Sequence, residues 1–107
     1  MYTRSAIFEG VIRPGKTDLF LDIIKNKLLP IWRRMPHVQK VRLFWPEEKD
    51  SEAPEIVLVQ QIDYPSREAI KEALASSVRD EAVAASRALE NVFDGRHYHY
   101  IFRKLTD

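Results

Sequence analysis

Residues 46–64 read PEEKDSEAPEIVLVQQIDY and contain the junction on which the fold depends. The first part, PEEKDSEAP, is charged and carries a proline at each end, which is typical of a solvated loop. The second part, EIVLVQQIDY at Glu55–Tyr64, is an apolar run that turns polar toward its end. Such a run predicts a central β-strand that is covered on both faces. The loop therefore connects the first half of the chain to the strand with which the second half begins.

The segments before this junction predict a strand, a helix and a second strand. Ala6–Ile12 is short and rich in β-branched and aromatic residues, and the turn sequence Arg13-Pro14-Gly15 follows it. A helix is predicted from Thr17, which can cap it, to about Met35. Pro30 lies inside this pattern, so the helix should kink or restart there. Val38–Trp45 then alternates in the manner of a half-buried strand.

The segments after the junction predict a broken helical region and a last strand. Ser66 can cap a short helix, and the helical pattern should break near Ser76. The stretch Ser77-Val78-Arg79-Asp80 has the spacing of a capping box, which predicts a longer helix from Val78 to about Val92. Two further predictions complete the chain: Asp94-Gly95 stops this helix, and His97–Arg103 forms the fourth strand.

The order β-α-β-β-α-β favours an α+β fold of the ferredoxin-like type, in one domain spanning residues 1–107. Because crossovers are right-handed, the antiparallel sheet should have the order 4-1-3-2 with both helices on one face. Every predicted strand carries apolar residues on both faces, so the uncovered sheet face should form a large apolar patch beside a β-prone edge. A homodimer packed face to face would cover both.

Composition excludes several classes of function. The 17 Lys and Arg balance the 16 Asp and Glu, which argues against binding to nucleic acid or to an anionic membrane surface. No cysteine is present, so thiolate metal sites and cysteine nucleophiles are excluded. We find no signal-peptide pattern and no apolar run near the roughly 20 residues that a bilayer requires. A cytoplasmic location is the expectation. Glycine-rich nucleotide loops are missing as well.

Three stretches of the chain resemble the dimeric α/β-barrel superfamily, which includes antibiotic-biosynthesis-monooxygenase-like and EthD-like proteins. They are RPGKTDLF at Arg13–Phe20, MPHV at Met35–Val38 and ALASS at Ala73–Ser77. The resemblance implies that two subunits pack sheet to sheet and that ligands lie between each sheet and its helices. Ala69–Ala88 lacks the histidine that is often found there in monooxygenase-like members, so haem degradation and a histidine-based oxygenase site of that kind are not expected.

A small set of polar and aromatic residues could line a ligand site. His97 and His99 are two apart on a predicted strand and therefore point to the same face. His37 follows Met35-Pro36 in a loop, and Arg42 is a polar residue within an apolar strand whose side chain needs partners. Trp32 could wall a pocket, although aromatic side chains in small cores usually serve packing. Glu9 and Gln60 are polar strand residues of the same kind as Arg42.

The predicted function is the binding of a small, partly apolar organic molecule by a homodimer. The family resemblance adds a possible enzyme class, a cofactor-free monooxygenase or an isomerase. Arg42, His97, His99, His37 and Trp32 are the predicted ligand-binding residues, with no cofactor and no bound metal. The alternative is a non-catalytic dimer with a binding or accessory role. A cavity with convergent polar groups would favour the first reading, and a filled core would favour the second.

Overall fold

The computed structural model describes residues 1–107, and its helices and strands follow the predicted order. The strands are β1 (Tyr2–Ile12), β2 (Lys40–Phe44), β3 (Ile56–Tyr64) and β4 (Phe93–Arg103). The first helical region comprises α1 (Thr17–Asp22), a π-helical segment (Ile23–Leu28) and α2 (Leu29–Trp32). The second comprises α3 (Arg67–Leu74), α4 (Ser77–Ser86) and a 3-10 helix (Arg87–Asn91). No helix is both long and apolar enough to cross a membrane.

The four strands form one antiparallel sheet of order β2-β3-β1-β4, which confirms the predicted ferredoxin-like topology. β1 and β3 are the central strands, and β2 and β4 are the edges. Because side chains alternate along a strand, the pairs Phe8↔His97 and Ala6↔His99 share one face, and Ile7↔Tyr98 and Ser5↔Tyr100 share the other. The first of these faces packs against the helices.

The helix-facing side of the sheet forms the core with both helical regions. Phe8, Leu58 and Ile62 are buried on the sheet, and Phe20 and Leu28 are buried on the helical side. Full burial of a side chain of this size stabilises the fold by about 1.5–3 kcal/mol relative to exposure. Eighteen hydrophobic residues make up this single buried cluster. The cluster fixes the helices on the sheet and leaves the opposite face uncovered.

The uncovered side of the sheet, called the outer face below, carries both apolar and polar side chains. Its apolar members are Ile7, Val59, Tyr98, Tyr100 and Phe102. Tyr100 and Phe102 are about half exposed, at 50% and 48%, which is unusual for rings of this size. The two rings also contact each other along β4, since Tyr100 stacks on Phe102 with ring centroids 5.5 Å apart. The predicted apolar face is therefore present in the single chain.

The first helical region restarts near Pro30, but its geometry differs from a simple kink. The six residues before α2 form a π-helix, in which the backbone N–H of Leu29 donates to the carbonyl of Ile24. Pro30 lies in the first turn of α2, where its missing N–H is least costly. The prediction that Thr17 caps α1 is wrong. Lys16 holds the cap position without a side-chain hydrogen bond, because the turn at residues 13–16 leads directly into the helix at Thr17.

The second helical region confirms one predicted cap and corrects another. Ser66 Oγ accepts a hydrogen bond from the Ala69 N–H at 3.0 Å, as expected for the start of α3. Ser76, not Ser77, caps α4: its Oγ accepts from the Arg79 N–H at 3.3 Å, while Ser77 is already helical. The predicted capping box at Ser77 is therefore wrong by one residue, although the break near Ser76 is confirmed. The helix also ends earlier than predicted, since residues 87–91 are 3-10 helical.

The prediction that Asp94-Gly95 stops a helix is wrong, because both residues lie within β4. Gly95 pairs with Gly10 of β1, and the two backbones approach closely at this point. A Cβ atom added at Gly95 would lie 2.1 Å from the Glu9 carbonyl oxygen, so only glycine fits without a shift. β4 thus begins at Phe93 and not at His97, and β1 begins at Tyr2 and not at Ala6. The predicted loop at 46–54 contains no helix or strand.

Candidate functional site

A cavity of about 380 Å³ lies between the helix-facing side of the sheet and the second helical region. This volume falls within the roughly 300–1,000 Å³ of ordinary small-molecule sites. Its walls come from β1, β3, β4, α2 and the segment from α4 to the 3-10 helix. The lining residues are Arg4, Ala6, Phe8, Leu28, Trp32, Met35, Gln60, Ile62, Tyr64, Arg79, Ala82, Val83, Ser86, Arg87, Leu89, Glu90, Phe93, Gly95, His97 and His99.

Two arginines face this cavity from opposite walls. Arg4 comes from β1, and Arg79 comes from the first turn of α4. Neither takes part in the ion pairs of the structure, although eight such pairs form elsewhere. Burial lowers the pKa of Arg4 to about 10, and the positive charge of Arg79 acts in the same direction. Arg4 therefore remains a cation at neutral pH, with no carboxylate beside it.

The histidine pair of β4 forms part of the same cavity wall. The His97 ring stacks on Phe8, with centroids 5.5 Å apart, and the His99 ring lies edge-on to His97 at 5.5 Å. Although part of His99 remains exposed, burial lowers the pKa of its imidazole to about 4. The charges of Arg4, His97 and Arg79 lower that pKa further. His99 is therefore a neutral ring at pH 7, able both to donate and to accept a hydrogen bond.

Gln60 and Tyr64 bring two more polar groups from β3. Gln60 is only 4% exposed, and its Oε1 atom is buried without a hydrogen-bond partner. Most buried polar groups are satisfied, so such an atom in a cavity wall is a candidate contact for a ligand or a bound water. Burial raises the pKa of the Tyr64 hydroxyl, and the nearby arginines at positions 4 and 79 oppose that rise. The hydroxyl is therefore neutral at pH 7.

Of the five ligand-binding residues predicted from sequence, the structure brings three together. His97, His99 and Trp32 all line the cavity, and Gln60 does as well. Arg42 lies on the outer face of β2, where its guanidinium donates to Asp63 and Gln61. The partners that its side chain needs are therefore these residues of the outer face.

His37 lies outside the cavity. Its Nε2 atom is 3.1 Å from a carboxylate oxygen of Glu72 near the protein surface. The backbone of His37 has a positive φ of 64°. Glu9 also lies elsewhere, because it accepts a hydrogen bond from the Tyr98 hydroxyl on the outer face at 2.9 Å.

Arg4, Tyr64 and Arg79 line the cavity but were not predicted from sequence. Arg4 precedes the predicted start of β1, so the strand pattern did not assign it to a face. Arg79 lies within the capping sequence, and its direction depends on where α4 begins. The available signal was the alternation of Arg4 with Ala6 and Phe8, which places all three on one side once the strand is extended to Tyr2.

A smaller cavity of about 200 Å³ lies at the β2 edge of the sheet. Six of its seven lining residues are hydrophobic, and Trp45 and Phe44 are among them. Lys25 is its only charged member. This cavity lacks convergent polar groups, so it offers apolar contact without the means to orient a ligand.

Comparison with known proteins places this chain among solved structures of one fold. An EthD family protein from Bacillus halodurans superposes with a TM-score of 0.74 at 16% identity, covering 98% of this chain and 99% of that chain. SnoaB, a cofactor-independent oxygenase from Streptomyces nogalater, gives a TM-score of 0.68 at 16% identity, covering 99% and 94%. A dimeric protein of unknown function and ferredoxin-like fold from Bacteroides fragilis gives 0.65 at 9% identity, covering 96% and 95%.

Neither a family model nor a curated protein matches the sequence. Identities this low establish the fold and do not carry an activity from one protein to another. The near-complete coverage of both chains nevertheless shows that the fold is the one that the sequence resemblance implied. The chain has the ferredoxin-like fold shared by EthD-like proteins and antibiotic biosynthesis monooxygenases.

Proposed function

We propose that this protein binds a small, partly apolar organic molecule in the cavity between sheet and helices and transfers a proton to or from it without a cofactor. The observation that carries the proposal is the cavity itself, because a filled core would have left no place for a ligand. Phe8, Trp32 and Phe93 supply apolar walls, and His97, His99 and Gln60 supply polar groups that fix orientation. Arg42 and His37 have no part in this site.

Proton transfer is the chemistry that these side chains could perform. An imidazole can take a proton from an acidic carbon or a phenol and return it. Return of the proton at a different carbon amounts to isomerisation. In oxygenation, the carbanion of a CH₂ group adds dioxygen and takes up a proton to give a hydroperoxide, which loses water and leaves a carbonyl group. His97 is the proposed proton acceptor, and neutral His99 is the proposed hydrogen-bonding partner of the ligand. The likeness to a cofactor-independent oxygenase from Streptomyces nogalater supports this class of reaction.

We also propose that the working form is a homodimer that buries the outer face. An exposed edge strand with large rings invites pairing with another chain, and β4 presents Tyr100, Ile101 and Phe102 in succession. The protein of ferredoxin-like fold from Bacteroides fragilis is described as dimeric, which supports a dimeric form. Light scattering at micromolar concentration should give about twice the 12.5 kDa of one chain. A clean monomer would contradict the proposal.

One observation favours a second candidate, a dimeric binding protein without catalysis. The pKa of about 4 makes His99 a weak base. The only histidine that pairs with a carboxylate is His37, so His97 has no acidic side chain beside it to orient its ring. A cavity of this kind can hold a ligand without changing it. The competing functions share the binding site and differ only in proton transfer.

Exchange of substrate hydrogen with deuterated solvent distinguishes the two. A panel of hydroxylated aromatic ketones that carry an acidic C–H bond next to the carbonyl group is incubated with the protein in D₂O and followed by proton NMR. The enzyme reading expects protein-dependent loss of one C–H signal, abolished in His97→Ala and retained in His37→Ala, whose histidine lies outside the cavity. Binding without exchange would support the non-catalytic reading. If His97→Ala and His99→Ala leave the affinity of every binder unchanged, the site is wrong.

A further inference from the structure

The charges of the cavity are unbalanced, and this imbalance bears on what it binds. Three arginines line it, Arg4, Arg79 and Arg87, against the single carboxylate of Glu90. All four are free of ion pairs, whereas four of the seven arginines outside the cavity are paired with carboxylates. A partly buried cation without a counter-charge is costly to hold, so the arrangement favours a negative partner that arrives from outside.

The arginines do not act as a general positive surface, because the chain as a whole is nearly neutral. Its formal net charge is +1, from 17 basic and 16 acidic residues. The positive charge is therefore concentrated at the cavity, where apolar walls keep the local dielectric low. An ion pair formed in such a place is stronger than one formed on the surface.

Arg4 and Arg79 together define one end of the cavity. Arg4 projects from the middle of the sheet, with Ile62 beside it on β3 and Ile101 beside it on β4. Arg79 projects from the start of α4, and each of the two guanidiniums influences the pKa of Tyr64. Phe8, Phe93 and His97 lie further along the strands, where rings pack against rings. The site thus has a cationic end and an aromatic end.

We propose that the ligand of this protein is an organic anion with a flat aromatic body, whose carboxylate is held by Arg4 and Arg79. This inference rests on the proposed function, since it names the class of molecule that the same cavity takes. The guanidinium groups donate to the carboxylate oxygens, and the planar fork of arginine suits that geometry. The aromatic body packs against Phe8 and His97, and the Gln60 amide lies between the two ends.

The arrangement also places the reacting part of the ligand. With the carboxylate fixed at the arginines, the far end of a one- or two-ring compound lies against the histidine pair. Burial is the main cause of the lowered pKa of His99, and nearby positive charges lower it further. A negative ligand would offset those charges, so it would leave that pKa higher than a neutral ligand of the same shape would. An anionic ligand therefore leaves the imidazole more basic than a neutral ligand of the same size does.

Calorimetric titration with two matched probes at pH 7.5 tests the inference. The probes are 2-naphthoate and its neutral analogue 2-naphthamide, which have the same ring system. We expect wild-type protein to bind one naphthoate per chain at least tenfold more tightly than naphthamide. Arg79→Gln should weaken naphthoate binding tenfold or more and leave naphthamide binding unchanged. Arg33→Gln, which removes an exposed charge from outside the cavity, should bind both probes as wild type does.

The variants separate this inference from the proposed function. Arg4→Lys and Arg4→Gln extend the series of variants. Far-UV circular dichroism verifies that each variant folds. If Arg4→Gln does not fold, the result for Arg79→Gln decides the question alone. Equal binding of both probes, unaffected by Arg79→Gln, would overturn the anion inference and leave small-molecule binding in the cavity intact. Failure of both probes to bind with a Kd below about 1 mM would count against both proposals.

Discussion

Gln60 provides the most direct test of the proposed ligand site. Its side chain is expected to contact the ligand and, while it lacks a hydrogen-bond partner, to lower the free energy of unfolding. The amide oxygen is buried on β3 without a hydrogen-bond partner, and an unsatisfied buried polar group costs about 1–3 kcal/mol. Gln60→Met keeps the length of the side chain and removes the polar end. The variant should therefore be more stable than wild type and should bind ligand less well.

The expected magnitude follows from the surroundings of the amide. At the lower end of that range, the gain in unfolding free energy should be about 1 kcal/mol. For a chain of 107 residues this corresponds to a rise in Tm of about 4 °C. Urea and thermal unfolding followed by circular dichroism measure it, at one fixed protein concentration because dimerisation also shifts stability.

Gln61→Met is the matched control on the next position of the same strand. Gln61 faces the outer side, where its Oε1 accepts from Arg42 Nη1 at 3.4 Å, so its replacement should bring no gain. The result that would refute the reasoning is a loss of 1 kcal/mol or more in Gln60→Met. Such a loss would mean that the amide is satisfied by ordered water and has a structural role.

Three further outcomes are expected. Ser76→Ala should lower the unfolding free energy by about 1 kcal/mol through loss of the α4 cap, whereas Ser77→Ala should be nearly neutral; the reverse order in urea unfolding would contradict the assigned cap. The His99 imidazole should titrate by NMR near pH 4 in a cavity that also presents Arg4, Arg79, His97 and Glu90. Because its folded pKa lies below the unfolded value of 6.5, the unfolded state binds more protons between these values, so stability should fall as pH decreases from 6.5 to 4. His99→Gln should flatten this part of the stability curve, and an unchanged curve would show that another group is responsible. Tyr100→Glu should shift the light-scattering mass from dimer to monomer, and an unaffected dimer would place the interface elsewhere.

Much of the fold is predictable because it depends on local chemistry. Ser66 before an apolar helical pattern identifies the start of α3, and the prolines at positions 46 and 54 identify the loop between β2 and β3. Errors arise where two adjacent residues could each take the same structural role. Ser76 and Ser77 are both good caps, and only the backbone conformation of the folded chain decides that Ser76 takes the role. Pairing across the sheet extends β1 back to Tyr2, which no local pattern required.

The site is less predictable than the fold, since it requires three elements to be oriented at once. The spacing of His97 and His99 suffices to put them on one face, but the register of β4 against β1 decides that this face meets the helices. Arg42 has the same sequence character as Gln60, a polar residue in an apolar strand. The register alone sends Arg42 to Asp63 on the outer face and Gln60 into the cavity wall.

The π-helical segment has a consequence for how this chain could be shortened. A π-turn holds one residue more than the α-helix it interrupts, and such turns recur at functional sites. Deletion of one exposed residue between Ile23 and Leu28, such as Lys25, would let the segment close as ordinary α-helix and leave Trp32 facing the cavity. If the segment became α-helical without such a deletion, Trp32 would instead turn by about 100° around the helix axis, away from the ligand. The wall that Trp32 forms thus depends on a single surplus residue one turn before it.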